Sequence, residues 1–125
     1  MSEATFFNLH DLSQGLPREL AEGITTRIFA GDMSMLSVAR LEPHASGTLH
    51  AHPEEQWGVL LEGSLIRVQD GVEVEAKAGD FWRTPGGAAH TVRAGASGAL
   101  VLDIFAPPRE IYLSPGAGFG TPESA

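Results

Sequence analysis

The 125-residue sequence predicts a small all-β protein, most simply an antiparallel jelly-roll β-barrel. Three observations carry this expectation. The 15 glycines and 8 prolines are scattered as punctuation between short apolar runs, the pattern of many strands joined by turns. No stretch of about a dozen residues keeps a helical period. Finally, so many short strands in so small a chain must close on themselves or pack as two sheets, or else leave long bare edges.

Taken in order, Leu16–Ala21 reads as one or two helical turns, with Pro17 at an early position. The candidate strands are Ile24–Phe29, Met33–Leu41, Glu55–Leu61, Leu65–Val68, Val72–Ala76, Asp80–Arg83, His90–Arg93 and Ala99–Phe105. Val72-Glu73-Val74-Glu75 alternates as a half-buried strand does. Gln69-Asp70-Gly71 makes a hairpin turn between Leu65–Val68 and Val72–Ala76, because Asp-Gly tolerates positive φ. The tail Ser114–Ala125, rich in Gly, Pro and Ser, is expected to be flexible. Without repeat or linker, residues 1–125 are read as one domain with its core at about 24–113.

Composition narrows the function. A net charge of -8 with no basic cluster argues against nucleic acid. No run approaches the roughly 18 apolar residues of a membrane span, and the N-terminus begins no secretory signal, so no membrane partner and a cytoplasmic location are expected. With no cysteine, a metal site must rest on nitrogen and oxygen. An anionic small substrate would need a local cationic device, such as a metal plus a placed arginine.

The stretch His50-Ala51-His52-Pro53-Glu54-Glu55-Gln56, answered by His90 after Pro85-Gly86-Gly87, supplies such a device. Two histidines one residue apart on an extended segment share a face, and neutral imidazole is the commonest protein metal ligand. Pro53 interrupts the run, so parity alone does not place Gln56, and Glu54 and Glu55 are rival oxygen donors. His10 and His44 lack partners and are read as ordinary histidines.

His50–Gly63 resembles the first motif of the cupin family: His, one residue, His, three residues, an acidic or amide ligand, six residues, Gly. Gly79–His90 resembles the second, with Gly79, Pro85, Gly87 and His90 at the family's spacing. There are two departures: His44 stands six before His50 where glycine is expected, and Ala94 replaces an asparagine four after His90. The resemblance implies His50, His52, Gln56 and His90 as ligands of one divalent metal (Zn, Ni, Mn, Fe or Co) in a jelly-roll barrel. Glutamine where the family often has glutamate leaves the ion its full charge, which favours Lewis-acid chemistry on an oxygen-rich substrate.

Further along, Asp103 interrupts the apolar strand Ala99–Phe105, which is costly unless the carboxylate is paired or faces a wet cavity. Alternation puts Val101, Asp103 and Phe105 on one face. Arg109, after Pro107-Pro108, could clamp a carboxylate bidentately. On this segment alone, a surface arginine and a locally bonded aspartate explain the pattern equally well. Trp57, opposite in parity to Gln56, is read as core or dimer interface; one of Phe81 and Trp82 must face inward; Arg40, Arg67, Arg83 and Arg93 receive no role.

The pattern His-x-His-Pro-x-Glu-Gln with a late Asp-x-Phe-x-Pro-Pro-Arg-Glu is similar to the KdgF-type cupins of pectin and alginate breakdown, which open the ring of 4,5-unsaturated uronates. This resemblance implies a non-redox isomerase or lyase, with Asp103, Phe105 and Arg109 in the substrate pocket. The cupin barrel also hosts non-haem iron dioxygenases, polyketide cyclases or dehydratases, and non-catalytic sugar-acid binders. A homodimer is expected, because the strands from Ile24 to Leu41 are apolar enough to pair.

Overall fold

A computed structural model describes residues 4–120. It contains seven strands and a short 3-10 turn: β1 (Leu16–Ala21), β2 (Ile24–Ala30), β3 (Met35–Leu41), β4 (Glu55–Gln69), β5 (Val72–Lys77), β6 (Phe81–Thr84), β7 (His90–Ala106) and η1 (Glu110–Leu113). All pairings are antiparallel, in the order β1-β2-β3-β7-β4-β5, with β6 on β4.

The expected helical turn at 16–21 is a strand instead. Leu16 to Ala21 pair with Ile28 to Ile24, and Arg18 and Leu20 face inward, with 7% and 6% of their surface exposed. Two other differences concern continuity. The runs 55–61 and 65–68 are one strand, β4, and 90–93 and 99–105 are one strand, β7. Register shifts between Leu60 and Glu62 and between Gly63 and Leu65 let this ribbon bend without breaking. Gly63 sits at the bend with φ +85°, and a Cβ there would run into the Gly98 carbonyl, so the residue must be glycine. The hairpin at Asp70-Gly71 forms as its sequence predicts, with φ +50° and +81°.

The bend is what makes a barrel. Gln69 pairs with His90 in the ladder, and Gln56 lies thirteen positions before Gln69, roughly 40 Å away along a straight strand. Yet the Gln56 Oε1 and His90 Nε2 atoms lie 3.0 Å apart. The two halves of the β4–β7 ribbon therefore face each other, and the apolar core fills one end of the space between. Leu20, Ile24, Ile28, Met35, Leu60 and Leu65 lie in one buried cluster. The buried Thr26 hydroxyl pairs with that of Ser37 and donates to the Val38 carbonyl at 3.0 Å, so these polar groups are not left unsatisfied.

Residues 114–120, part of the tail expected to be flexible, lie against the barrel. The Gly118 amide donates to the Glu19 carbonyl at 2.7 Å, and Phe119 packs against the core cluster. Residues 121–125, the rest of that expected tail, lie outside the described residues. Among the described residues no helix is long and apolar enough to cross a membrane.

Leu60 is fully buried at the centre of the ribbon. Leu60→Ala should cost about 2–5 kcal/mol of stability through lost transfer energy and the remaining cavity, measured as a lower urea midpoint with an unchanged slope.

Candidate metal centre and active site

His50 lies on the segment leading into β4 and forms an isolated bridge with His90, the first residue of β7. His52 follows two residues later, before Pro53, and Gln56 is the second residue of β4. Gly86, whose missing side chain would strike the Pro53 carbonyl, lets the β6–β7 loop lie directly on this segment. His50, His52 and His90 are buried, and one ring nitrogen of each lies within 4.8 Å of the others. Three histidines are thus positioned to bind a metal ion.

Hydrogen bonding settles the tautomers. Each Nδ1 faces a backbone carbonyl: His50 to Thr48 at 2.7 Å, His52 to Glu54 at 3.1 Å and His90 to Ala88 at 2.8 Å. A carbonyl only accepts, so each Nδ1 carries the proton and each Nε2 presents its lone pair, the form that ligates metals. The Nε2 atoms of His52 and His90 both lie 3.0 Å from Gln56 Oε1, another acceptor. Its amide nitrogen points the other way and donates to Asp103 Oδ1 at 3.0 Å. Lone pairs therefore converge with no proton between them, and a cation resolves that conflict. The donor set of nitrogen and neutral oxygen suits a borderline divalent ion.

Electrostatics keeps the imidazoles neutral. Burial pushes His50 down to about 3, aided by the neighbouring imidazoles and Arg109 and opposed by the Thr48 bond. Burial, then the Arg109 charge, takes His52 to about 4. His90 is also lowered, chiefly by burial. Asp103 moves the opposite way: burial raises it to about 7, against the lowering effect of the Gln56 bond. A carboxyl group poised near neutrality is suited to proton transfer.

Asp103, Val101 and Phe105 line the same cavity, as alternation predicts. Phe105 is buried, meeting the His52 ring edge-on with centroids 5.6 Å apart. Arg109 takes a more enclosed position than a mouth clamp. It is 2% exposed, its guanidinium lies 4.3 Å from the Tyr112 ring centre, and its Nε is 3.7 Å from Glu54 Oε1. Its Nη2 donates to the Phe119 carbonyl at 2.7 Å, while Nη1 has no hydrogen-bond partner among the described residues. Glu54 stands beside Arg109 and on the Nδ1 side of His52, and Glu55 pairs with Arg83 at 2.6 Å on the surface; neither is in the group whose ligand atoms converge.

Sequence reasoning left several residues near the site unassigned. Trp82, not Phe81, faces inward, and Phe81 is 68% exposed. Arg67 lines the cavity, bonding the Gln69 side chain and the Arg83 carbonyl, and Thr84 donates to Gln69 Oε1 at 2.8 Å. Arg93 lies one ladder position away and pairs with Glu73 instead. Phe119 stacks on His50 with centroids 4.4 Å apart. Strand register would have separated Arg67 from Arg93, and the lone aromatic ring in a glycine-rich tail was the available signal for Phe119.

The Cupin domain family model matches residues 37–105. The chain is a cupin. No curated protein matches it by sequence. Solved structures do. An RmlC-like cupin from Shewanella frigidimarina superposes with a TM-score of 0.76 at 25% identity, covering 89% of this chain and 96% of that one. KdgF from Halomonas sp. gives 0.75 at 25% identity, covering 86% and 96%. Oxalate decarboxylase from Bacillus subtilis gives 0.71 at 25% identity, covering 84% of this cupin but 30% of the decarboxylase chain.

Replacing His52 or His90 with alanine should weaken zinc or cobalt binding at least about tenfold in chelator competition; unchanged affinity would place the ion elsewhere. The metal-free cupin should also lose stability on acidification. Below the ordinary value of 6.5 the unfolded chain takes up protons, whereas folded His50 and His52 resist until about 3 and 4. Stability is then fully present above 6.5 and falls through that window. NMR titration should show both rings still neutral at about pH 5.

Proposed function

We propose that this cupin is a metal-dependent, non-redox enzyme that opens the ring of 4,5-unsaturated uronate sugars to linear keto acids. The Gln56–Asp103 pair beside three histidines carries the reading. It sets a carboxyl group of near-neutral pKa against a neutral ligand set, as proton movement on a hemiacetal requires. The similarity to KdgF from Halomonas over nearly the whole of both chains supports the same assignment.

His50, His52, His90 and the Gln56 carbonyl oxygen would hold the ion, which would polarise substrate oxygens as a Lewis acid. The remaining steps belong to the chain. Asp103 Oδ1 is bonded to Gln56, which leaves the carboxyl group's other oxygen to take the proton of the anomeric hydroxyl as the ring C1–O5 bond breaks to an aldehyde and an enolate, and to return that proton to C4 as the enolate becomes the ketone. Phe105 and Val101 form an apolar wall that limits water. Arg109, through its unpartnered Nη1, would meet the substrate carboxylate. The protein is expected to act as a homodimer on small anions.

Asp103→Asn separates the two roles of this residue. Its amide oxygen can still accept from Gln56, so metal affinity should change little, whereas turnover should fall by about 10²–10⁴-fold because the proton carrier is gone. The assay follows loss of the conjugated ultraviolet absorbance of unsaturated galacturonate and mannuronate or guluronate monomers, without oxygen. Full turnover by Asp103→Asn would remove the proton-transfer role. A requirement for O₂ would favour an oxygenase, and binding without product a non-catalytic module.

A further inference from the structure

We infer that residues 114–120 form a strap across the mouth of the barrel, with Phe119 as its closing group, and that ligands reach the histidines only when this end lifts. The inference rests on the barrel interior being the ligand site, not on which ligand it takes.

Arg18 fastens the near part of the strap. This inward-facing residue of β1 is spent on backbone carbonyls: Nε on Gly118 at 2.9 Å, Nη1 on Ser114 at 3.2 Å and on Ile111 at 3.3 Å, and Nη2 on Ala117 at 3.1 Å. The far end is held differently. The Phe119 ring lies nearly parallel to His50, with 25° between planes, and its carbonyl accepts from Arg109. Gly116, Gly118 and Gly120 all have positive φ (145°, 85° and 77°). Glycines immediately before and after Phe119 allow the backbone there to pivot at low steric cost.

The closed state cannot admit a substrate. Its cavity, walled by His50, Gln56, His90, Asp103, Phe105 and Phe119 among others, measures about 40 Å³, space for a few water molecules and not a sugar ring. The strands are cross-linked by their ladders, whereas Phe119 is held outside any ladder, by ring packing and by the Arg109 hydrogen bond to its carbonyl. It is the wall that yields first. The Arg109–Phe119 contact also gives ligands a way to open it. A carboxylate makes a stronger charge-assisted bond to guanidinium than a peptide carbonyl does, so an anionic ligand competes with the strap for Arg109 while Arg18 keeps the base in place.

Histidine labelling of the metal-free full chain with diethyl pyrocarbonate, mapped by peptide mass spectrometry, tests this without relying on metal or turnover. His10 and His44 are exposed and serve as internal references. In the wild type, His50 should react at least about tenfold more slowly than the references, as expected for a site reached through local opening. Phe119→Ala should bring His50 towards the reference rate while a single cooperative melting transition is kept, because every strand ladder is intact. A chain ending at Ala117, which keeps two of the Arg18 contacts to the strap, should do the same. Fast labelling of His50 in the wild type, or unchanged slow labelling in both variants, would overturn the strap. Failure of uronate turnover with the labelling result intact would instead count against the proposed substrate alone.

Discussion

The site depends on the two-sidedness of one amide. Gln56 turns its oxygen toward His52 and His90 and its nitrogen toward Asp103, so it joins the metal-binding cluster to the one carboxyl group that lines the cavity among the described residues. Glutamate could not serve both neighbours. It would set two carboxylates about 3 Å apart, and like charges at that distance force one to keep its proton. The amide at position 56 and the acid at position 103 therefore make sense together. Each explains a feature that looks odd alone: a neutral residue where a charged ligand is common, and an aspartate inside an apolar strand.

The barrel's curvature brings this pair to the histidines. On a flat ladder His90 would sit at the far end of β4 from Gln56. Bulges around Gly63 fold the ribbon so that its two ends meet, and the close approach of Gly63 to Gly98 makes the fold tight. The resulting enclosure removes water from the imidazoles and from Asp103. The same burial lowers the pKa of the bases and raises that of the acid. Metal binding at modest pH and proton transfer near neutrality thus have one cause.

Much of this was legible in the chain. Histidines one residue apart, the glycines before His90 and the alternation around Asp103 point to residues that the structure gathers around one cavity. The strand at Leu16–Ala21 was hidden because Arg18 occupies an inward position that an apolar residue normally marks, and Pro17 imitated a helix start. Merged strands were read as pairs because a bulge and a turn both announce themselves with glycine. The strap was hidden for a different reason. Arg18 holds it through backbone carbonyls, which every residue has, so composition reported only flexible residue types. The Gln56–Asp103 bond spans 47 positions and needed the register of β4 against β7, which strand parity does not supply.

Charge is divided unequally between the surface and the interior. The chain as a whole is acidic, with a net charge of -8, yet Arg67 and Arg109 stand near the histidines and the buried Arg18 lies beyond Tyr112. Among the described residues, the carboxyl groups near them include Asp70 beside Arg67, Glu54 and Asp103. Glu54 stands 3.7 Å from Arg109, and Asp103 is partly protonated near neutral pH. A divalent ion among neutral ligands would add two more positive charges, at effective interior dielectrics where such excess is felt over several ångströms. An anion is the ligand that balances this account, and in the closed form the partial negative charge of the Phe119 carbonyl stands in for it at Arg109. An acidic surface around a cationic interior repels anions at long range and rewards those that enter, so selection rests on fit at the mouth rather than on electrostatic capture. That is the physical reason for a mouth closed by a ring and a hydrogen bond.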